Sequence, residues 1–146
     1  MPTILGFGNP LLDLTISTTP ARMAALGVAA GTHANQLPEL TKERVLAEVL
    51  TEPATILSAG GSALNTLRTV QWLLGRTHLP HPGWFVALPP GMRVECSMMG
   101  AVGDDPAGRL LVAAAVADGV GVEWLQLAPR GMCTGQCCCL HGARMF

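Results

Sequence analysis

The segment Ser58-Ala59-Gly60-Gly61-Ser62-Ala63-Leu64-Asn65 constrains the fold of this chain most. Residues 54–57 are strand-like and run into two glycines. Ala63, Thr66, Leu67, Val70, Leu73 and Leu74 then recur at helical spacing, until Gly75 offers a stop. A strand that turns through glycine into an amphipathic helix is the repeating step of layered α/β domains. The step recurs downstream. Residues 94–102 are strand-like, and Asp105 and Pro106 supply a helix cap and a first helical residue. Leu110, Ala113, Ala114 and Ala117 are expected to line the buried face of that helix, which Gly119 closes.

The remaining pattern agrees with this class. Residues 3–8 read as a short buried strand ending at Gly8-Asn9-Pro10, and residues 14–18 as a second strand stopped by Thr18-Thr19-Pro20. Thr41 is placed to cap a helix carrying Val45, Leu46, Val49 and Leu50 on one face, terminated by Pro53. Residues 122–127 and 137–140 are further strands. Residues 77–93, with Pro80, Pro82, Pro89 and Pro90, form an irregular insert.

Composition narrows the function classes. Charged residues are 13% of the 146, against roughly 25% in typical soluble domains, while 49% are hydrophobic. Apolar faces of this extent call for covering by more chain or by a partner. A formal charge of -1 without any basic run gives no footprint for nucleic acid or an anionic membrane. No signal peptide or membrane span is visible, and the odd count of five cysteines suits a reduced, cytoplasmic chain. Cys133, Cys137, Cys138, Cys139 and His141 suggest zinc at first sight. Consecutive strand residues point to opposite faces, however, so a buried, metal-free strand is expected and no metal site is assigned. His78 and His81 read as surface residues of the insert, and Met98-Met99 as core strand.

Two segments carry chemistry. In Gly6-Phe7-Gly8-Asn9-Pro10-Leu11-Leu12-Asp13, an amide and a carboxylate just past a strand end can grip a polar ligand over the sheet edge. An ionised Asp only accepts hydrogen bonds, which suits a vicinal diol. Read alone, Asn9-Pro10 is equally an ordinary turn and Asp13 a solvated loop charge. In the second segment, Gly60 and Gly61 let a ligand approach the backbone, Ser62 and its neighbours present helix-start amides, and Asn65 reaches the same spot from the first turn. Read alone, this is a plain helix start with Ser62 as cap. It is no Walker-type phosphate loop, because no Gly-Lys-Ser/Thr follows.

The two segments in this order, followed by Val70-Gln71-Trp72, resemble adenosine kinase, a member of the ribokinase-like carbohydrate kinase superfamily. Gly100-Ala101-Val102-Gly103-Asp104-Asp105-Pro106-Ala107-Gly108 and Thr134-Gly135-Gln136-Cys137 extend the resemblance, which runs from about Ile4 to Arg144. It implies a partial ribokinase-like α/β fold across residues 1–146, a Rossmann-like layered sheet with helices. A small β lid would come from strands near 13–18 and 122–140.

The resemblance further implies that Asp13, helped by Asn65 and Gly61, holds ribose hydroxyls, and that Asn9, Gly60 and Ser62 line the nucleoside site. His33 stands where the family places a Gln near the base, and Cys137 matches a cysteine near the pocket wall. Arg144 matches, through a one-residue slip after Gly142, an arginine facing the transferred phosphoryl group. The implied reaction is transfer of the γ-phosphoryl group of ATP, with Mg2+, to the 5′-hydroxyl of adenosine, giving AMP in purine salvage. The family keeps its ATP site and its Gly-Ala-Gly-Asp segment, with the catalytic aspartate, in a later half. No Gly-Ala-Gly-Asp occurs in these residues. The expectation is an N-terminal portion carrying the nucleoside half-site. The alternative is a noncatalytic fragment that binds nucleoside weakly or is inactive. A kinase for a free sugar is disfavoured by Asn9-Pro10-Leu11-Leu12-Asp13.

Overall fold

A computed structural model describes residues 2–29, 31, 37–75 and 93–142. The elements in chain order are β1 (Thr3–Phe7), β2 (Leu11–Thr18), α1 (Pro20–Ala25), α2 (Glu39–Thr51), β3 (Ile56–Gly60), α3 (Ser62–Gly75), β4 (Glu95–Val102), α4 (Pro106–Ala117), β5 (Val120–Leu127) and β6 (Gly135–Gly142). They group into two compact units, Met1–Leu12 with Ser58–Gly135, and Asp13–Leu57 with Gln136–Phe146. The α/β class holds.

In the first unit, β1, β4 and β5 form a parallel sheet in the order β1-β4-β5. Parallel neighbours need helical crossovers, and α3 leads into β4 while α4 leads into β5. Helix α3 packs on β1 and β4, and α4 on β5. The core is built from Leu64, Leu67, Cys96, Met98, Leu111 and Val120, all nearly or wholly inaccessible. A register shift between Ser97 and Met99 interrupts the β4–β5 ladder. There the buried Ser97 hydroxyl donates to Glu123 Oε1 at 2.5 Å, and that bond holds the Glu123 carboxyl below the usual glutamate range.

Two expectations are corrected here. Strand β1 is not buried: Ile4, Leu5 and above all Phe7, 79% exposed, leave apolar surface bare on this edge strand. Helix α4 buries Ala107, Gly108, Leu111 and Ala115, whereas Leu110 is exposed. The small and aliphatic residues run unbroken from Leu110 to Ala117 and fit either stripe by periodicity alone, and packing on β5 selects the one through Leu111.

In the second unit, β2 alternates buried Leu14, Ile16 and Thr18 with more exposed neighbours, and the second sheet has the order β3-β2-β6. The Thr18-Thr19-Pro20 cluster ends β2 as expected and also opens α1, a helix absent from the expected elements: Thr19 caps the helix, its Oγ1 accepting from Arg22 N at 3.2 Å, with Pro20 as the first helical residue. The Arg22 guanidinium donates to Glu48 at 2.7 Å and Glu52 at 3.0 Å, joining α1 to α2. Helix α2 opens at Pro38, not at Thr41, and buries Val45 and Val49 while Leu50 stays exposed. The insert at 77–93 lies outside the described residues except for Arg93, as do His78 and His81.

Candidate functional site

The two chemistry-bearing segments meet in the first unit. Gly61 has φ +92°, a backbone conformation that side chains resist. A Cβ built there would lie 2.5 Å from the Asn9 carbonyl oxygen and 3.4 Å from Leu11 N and Pro10 Cα. The Asn9-Pro10 turn is therefore seated directly on the start of α3. The carbonyl of Gly61 accepts the first helical bond, from Asn65 N at 2.8 Å, so Gly61 is the cap residue and Ser62 the first helical one. That corrects the reading of Ser62 as cap. Having no side chain, Gly61 cannot satisfy the first-turn amides itself. Asn9, Ser62 and Asn65 are exposed, and Gly60 is the buried last residue of β3.

Asp13 belongs to the second unit and is not a loop charge. It is the third residue of β2 and half-buried. Cys137 lies in the same unit on β6. Desolvation raises the Cys137 thiol above its ordinary range, with Cys139 and the negative charge of Asp13 adding to it. Cys137 and Cys139 are exposed on one face of β6 and Cys138 is half-buried on the other, which corrects the expectation that this strand is buried. Burial, with Cys137 and Cys139 alongside, pushes Cys138 up to about 11. Such thiols stay protonated near neutral pH, which makes them poor nucleophiles and poor metal ligands. A cavity of about 340 Å³ in this unit is lined by Met23, Val28, Lys42, Val45, Cys137 and Leu140, among others. Its size falls within the range of small-ligand sites. His33 and Arg144 lie outside the described residues.

The start of α4 is organised differently. Asp105 Oδ1 accepts from Gly108 N at 2.7 Å and from Thr134 Oγ1 at 2.8 Å, while Oδ2 accepts from Thr134 N at 2.7 Å. The buried Thr134 hydroxyl in turn accepts from Gly103 N at 2.9 Å. Gly108 permits this closure, since a Cβ there would meet the Gly103 carbonyl and lie 2.8 Å from Thr134 Oγ1. Desolvation alone would raise the Asp105 carboxyl. The donors from Thr134 and Gly108, with the charge of Arg109, outweigh it and hold the group below the ordinary aspartate range.

Sequence reasoning missed Arg68. Its Nε donates to Asp118 Oδ2 at 2.5 Å, and its Nη1 donates to the Ala59 carbonyl and, at 3.0 Å, to Asn65 Oδ1. The i,i+3 spacing of Asn65 and Arg68 was the available signal. Among the described residues no three His, Cys, Asp or Glu side chains gather as a metal site, and no helix is long and apolar enough to cross a membrane.

No family model matches the chain. Its structure is similar to solved adenosine kinases. Against the Anopheles gambiae enzyme in complex with P1,P4-di(adenosine-5) tetraphosphate, identity is 27% and the TM-score 0.61, over 92% of this chain and 33% of that one. The Schistosoma mansoni enzyme in complex with tubercidin gives 24% and 0.63, over 94% and 36%. The apo Trypanosoma brucei brucei enzyme gives 22% and 0.64, over 88% and 34%. The chain thus spans about a third of the length of the adenosine kinases it matches, and its fold is part of the ribokinase-like α/β fold.

Proposed function

We propose that these residues form the nucleoside-holding part of an adenosine kinase, a cytosolic enzyme of purine salvage that transfers the γ-phosphoryl group of ATP to the ribose 5′-hydroxyl. The observation that carries the reading is the seating of the Asn9-Pro10 turn against Gly61. Two segments far apart in sequence, each equivocal alone, build one polar corner with Asn65 in the helical turn that follows. Solved adenosine kinases share the surrounding fold.

In this reading, Asp13 accepts from the ribose hydroxyls and Asn65 supplies a complementary amide. Asn9, Gly60, Gly61 and Ser62 line the corner with backbone and small polar groups. By the same resemblance the lid would come from the strands near 13–18 and 122–140, with Cys137 matching the pocket wall; of these, β5 instead pairs with β4 in the first unit's sheet. ATP with Mg2+ would supply the transferring group and its charge neutralisation. The described residues gather no carboxylate cluster suited to the metal, so these residues are given binding and orientation alone.

The test is calorimetric titration of the chain with adenosine and 2′-deoxyadenosine. Adenosine is expected to bind about tenfold or more tightly, since a site built around a hydroxyl leaves its own groups unpaired when that hydroxyl is missing. Asp13→Ala should remove most of the difference. Equal affinities in the unaltered chain would reject the diol assignment.

A second reading is that the chain binds nucleoside without turning it over, and the observation favouring it is that Gly-Ala-Gly-Asp is missing from its residues. General-base assistance alone is typically worth about 10²–10⁴-fold. Purified chain given adenosine and MgATP should then form no AMP above controls. Fusing the later part of an adenosine kinase after Arg144 should restore turnover that Asp13→Ala again abolishes. Steady AMP formation by the chain alone would defeat this second reading.

A further inference from the structure

Asn65 enters the proposed function as a ligand-facing amide, but an amide has two ends. Its oxygen only accepts hydrogen bonds and its nitrogen only donates. Which end faces a ligand is a question of what holds the other end, and that group is Arg68.

Arg68 lies one turn after Asn65 on α3 and is three-quarters buried, its side chain 27% exposed. Its guanidinium is anchored at three points. Nε donates to Asp118 Oδ2 at 2.5 Å, and Nη1 donates both to the Ala59 carbonyl at the end of β3 and to Asn65 Oδ1 at 3.0 Å. Asp118 is the C-cap of α4, where a carboxylate is disfavoured by the helix dipole unless a cation answers it. The ion pair with Arg68 provides that answer. The planar guanidinium holds its donors in a fixed fork, so the arrangement loses little entropy.

We propose that Arg68 is a positioning residue for the nucleoside site: by capturing Asn65 Oδ1 it turns the Asn65 NH2 outward, so that position 65 reads a sugar hydroxyl through its oxygen as acceptor. A flipped amide would set NH2 against the guanidinium, donor against donor. Asn65 therefore offers donors while Asp13 offers only acceptors, and the two cannot serve the same role toward a diol. This inference rests on the nucleoside reading and adds the polarity with which the site recognises the sugar.

The experiment titrates the chain with adenosine, 2′-deoxyadenosine and 3′-deoxyadenosine, comparing the unaltered sequence with Arg68→Met and Asp118→Asn. In Arg68→Met, adenosine affinity should fall about tenfold, the equivalent of one hydrogen bond. The analogue lacking the hydroxyl read by Asn65 should bind as before, so that one adenosine-to-deoxy ratio collapses and the other survives. Asp118→Asn, which loosens only the far anchor, should move the same ratio by a smaller factor and covers the case in which Arg68→Met does not fold. An equal loss for all three nucleosides, or unaltered ratios in both variants, would overturn the positioning role.

A second measurement needs no ligand. The Asn65 side-chain amide should show restricted motion by nitrogen-15 relaxation in the unaltered chain and greater motion in either variant. Unchanged Asn65 motion overturns the clamp even if no nucleoside binds. Failure of all three nucleosides to bind the unaltered chain, with the Asn65 amide still held, would instead count against the nucleoside reading alone.

Discussion

Helices α3 and α4 each follow a strand through a glycine-containing turn, yet their first turns are finished in opposite ways. At α4, Asp105 caps Gly108 N, and the same carboxylate is occupied by Thr134. The anion at this helix start is supplied from within the chain. At α3 the cap residue is Gly61, which has no side chain, and the first turn carries exposed Ser62 and Asn65. Similar local sequence thus produces a closed, structural helix start and an open one. The difference lies in whether a carboxylate or a glycine stands at the cap.

Substituting the two cap residues puts that contrast under strain. Gly61→Ala should be the most damaging change. It forces a side chain onto φ +92° and drives its Cβ to 2.5 Å from the Asn9 carbonyl, costing about 3 kcal/mol in urea denaturation along with nucleoside binding. If Gly61→Ala unfolds at the same urea concentration as the parent, the seating of Asn9-Pro10 on α3 is wrong.

Asp105→Asn should cost about 1–2 kcal/mol at pH 7 and leave nucleoside affinity unchanged. Its pH dependence carries a definite sign. The folded carboxyl titrates below the ordinary aspartate value of about 3.9, so its stabilisation is complete above that pH and is lost as pH falls through the folded value. Parent and variant melting curves should therefore converge in acid and separate at neutral pH. A constant gap between them would mean that the carboxylate charge is irrelevant to the cap.

Ser62→Ala should weaken adenosine binding by about threefold, the loss of one modest hydrogen bond, without moving the melting temperature. A melting shift with unaltered binding would give Ser62 the structural part that Asp105 has at α4. Least of all should come from Leu110→Ala, within about 0.5 kcal/mol, because the packed stripe of α4 runs through Leu111 instead.

What was legible in the sequence was local. The helix at α3, the Asp105-Pro106 cap and the alternation of Cys137, Cys138 and Cys139 depend on near neighbours, and each appears as read, although α3 buries Leu64 and leaves Thr66, counted in its stripe, exposed. The Thr19-Pro20 pair both stops β2 and starts α1, and Thr-Pro in a sequence signals the first as readily as the second. The exposure of β1 and the stripe chosen by α4 depend on which neighbour covers a face, and a single sequence does not state that. The ties between Asp105 and Thr134, and between Arg68 and Asp118, join residues distant in the chain, where no periodic signal reaches. Of the candidate site, the residue types were legible and the group that orients Asn65 was not.

The contact between Gly61 and the Asn9-Pro10 turn has a kinetic consequence. It closes a shorter stretch of chain than the β1–β4 pairing does, so loop-closure entropy favours forming the corner before that ladder. The turn continues back into β1 through Gly8, whose N donates to the Met99 carbonyl at 3.1 Å, so opening the corner loosens the β1 edge as well. A ligand bound there should slow amide hydrogen exchange along the β1–β4 ladder, out to Glu95 N on Pro2, as much as at Asn65 N itself.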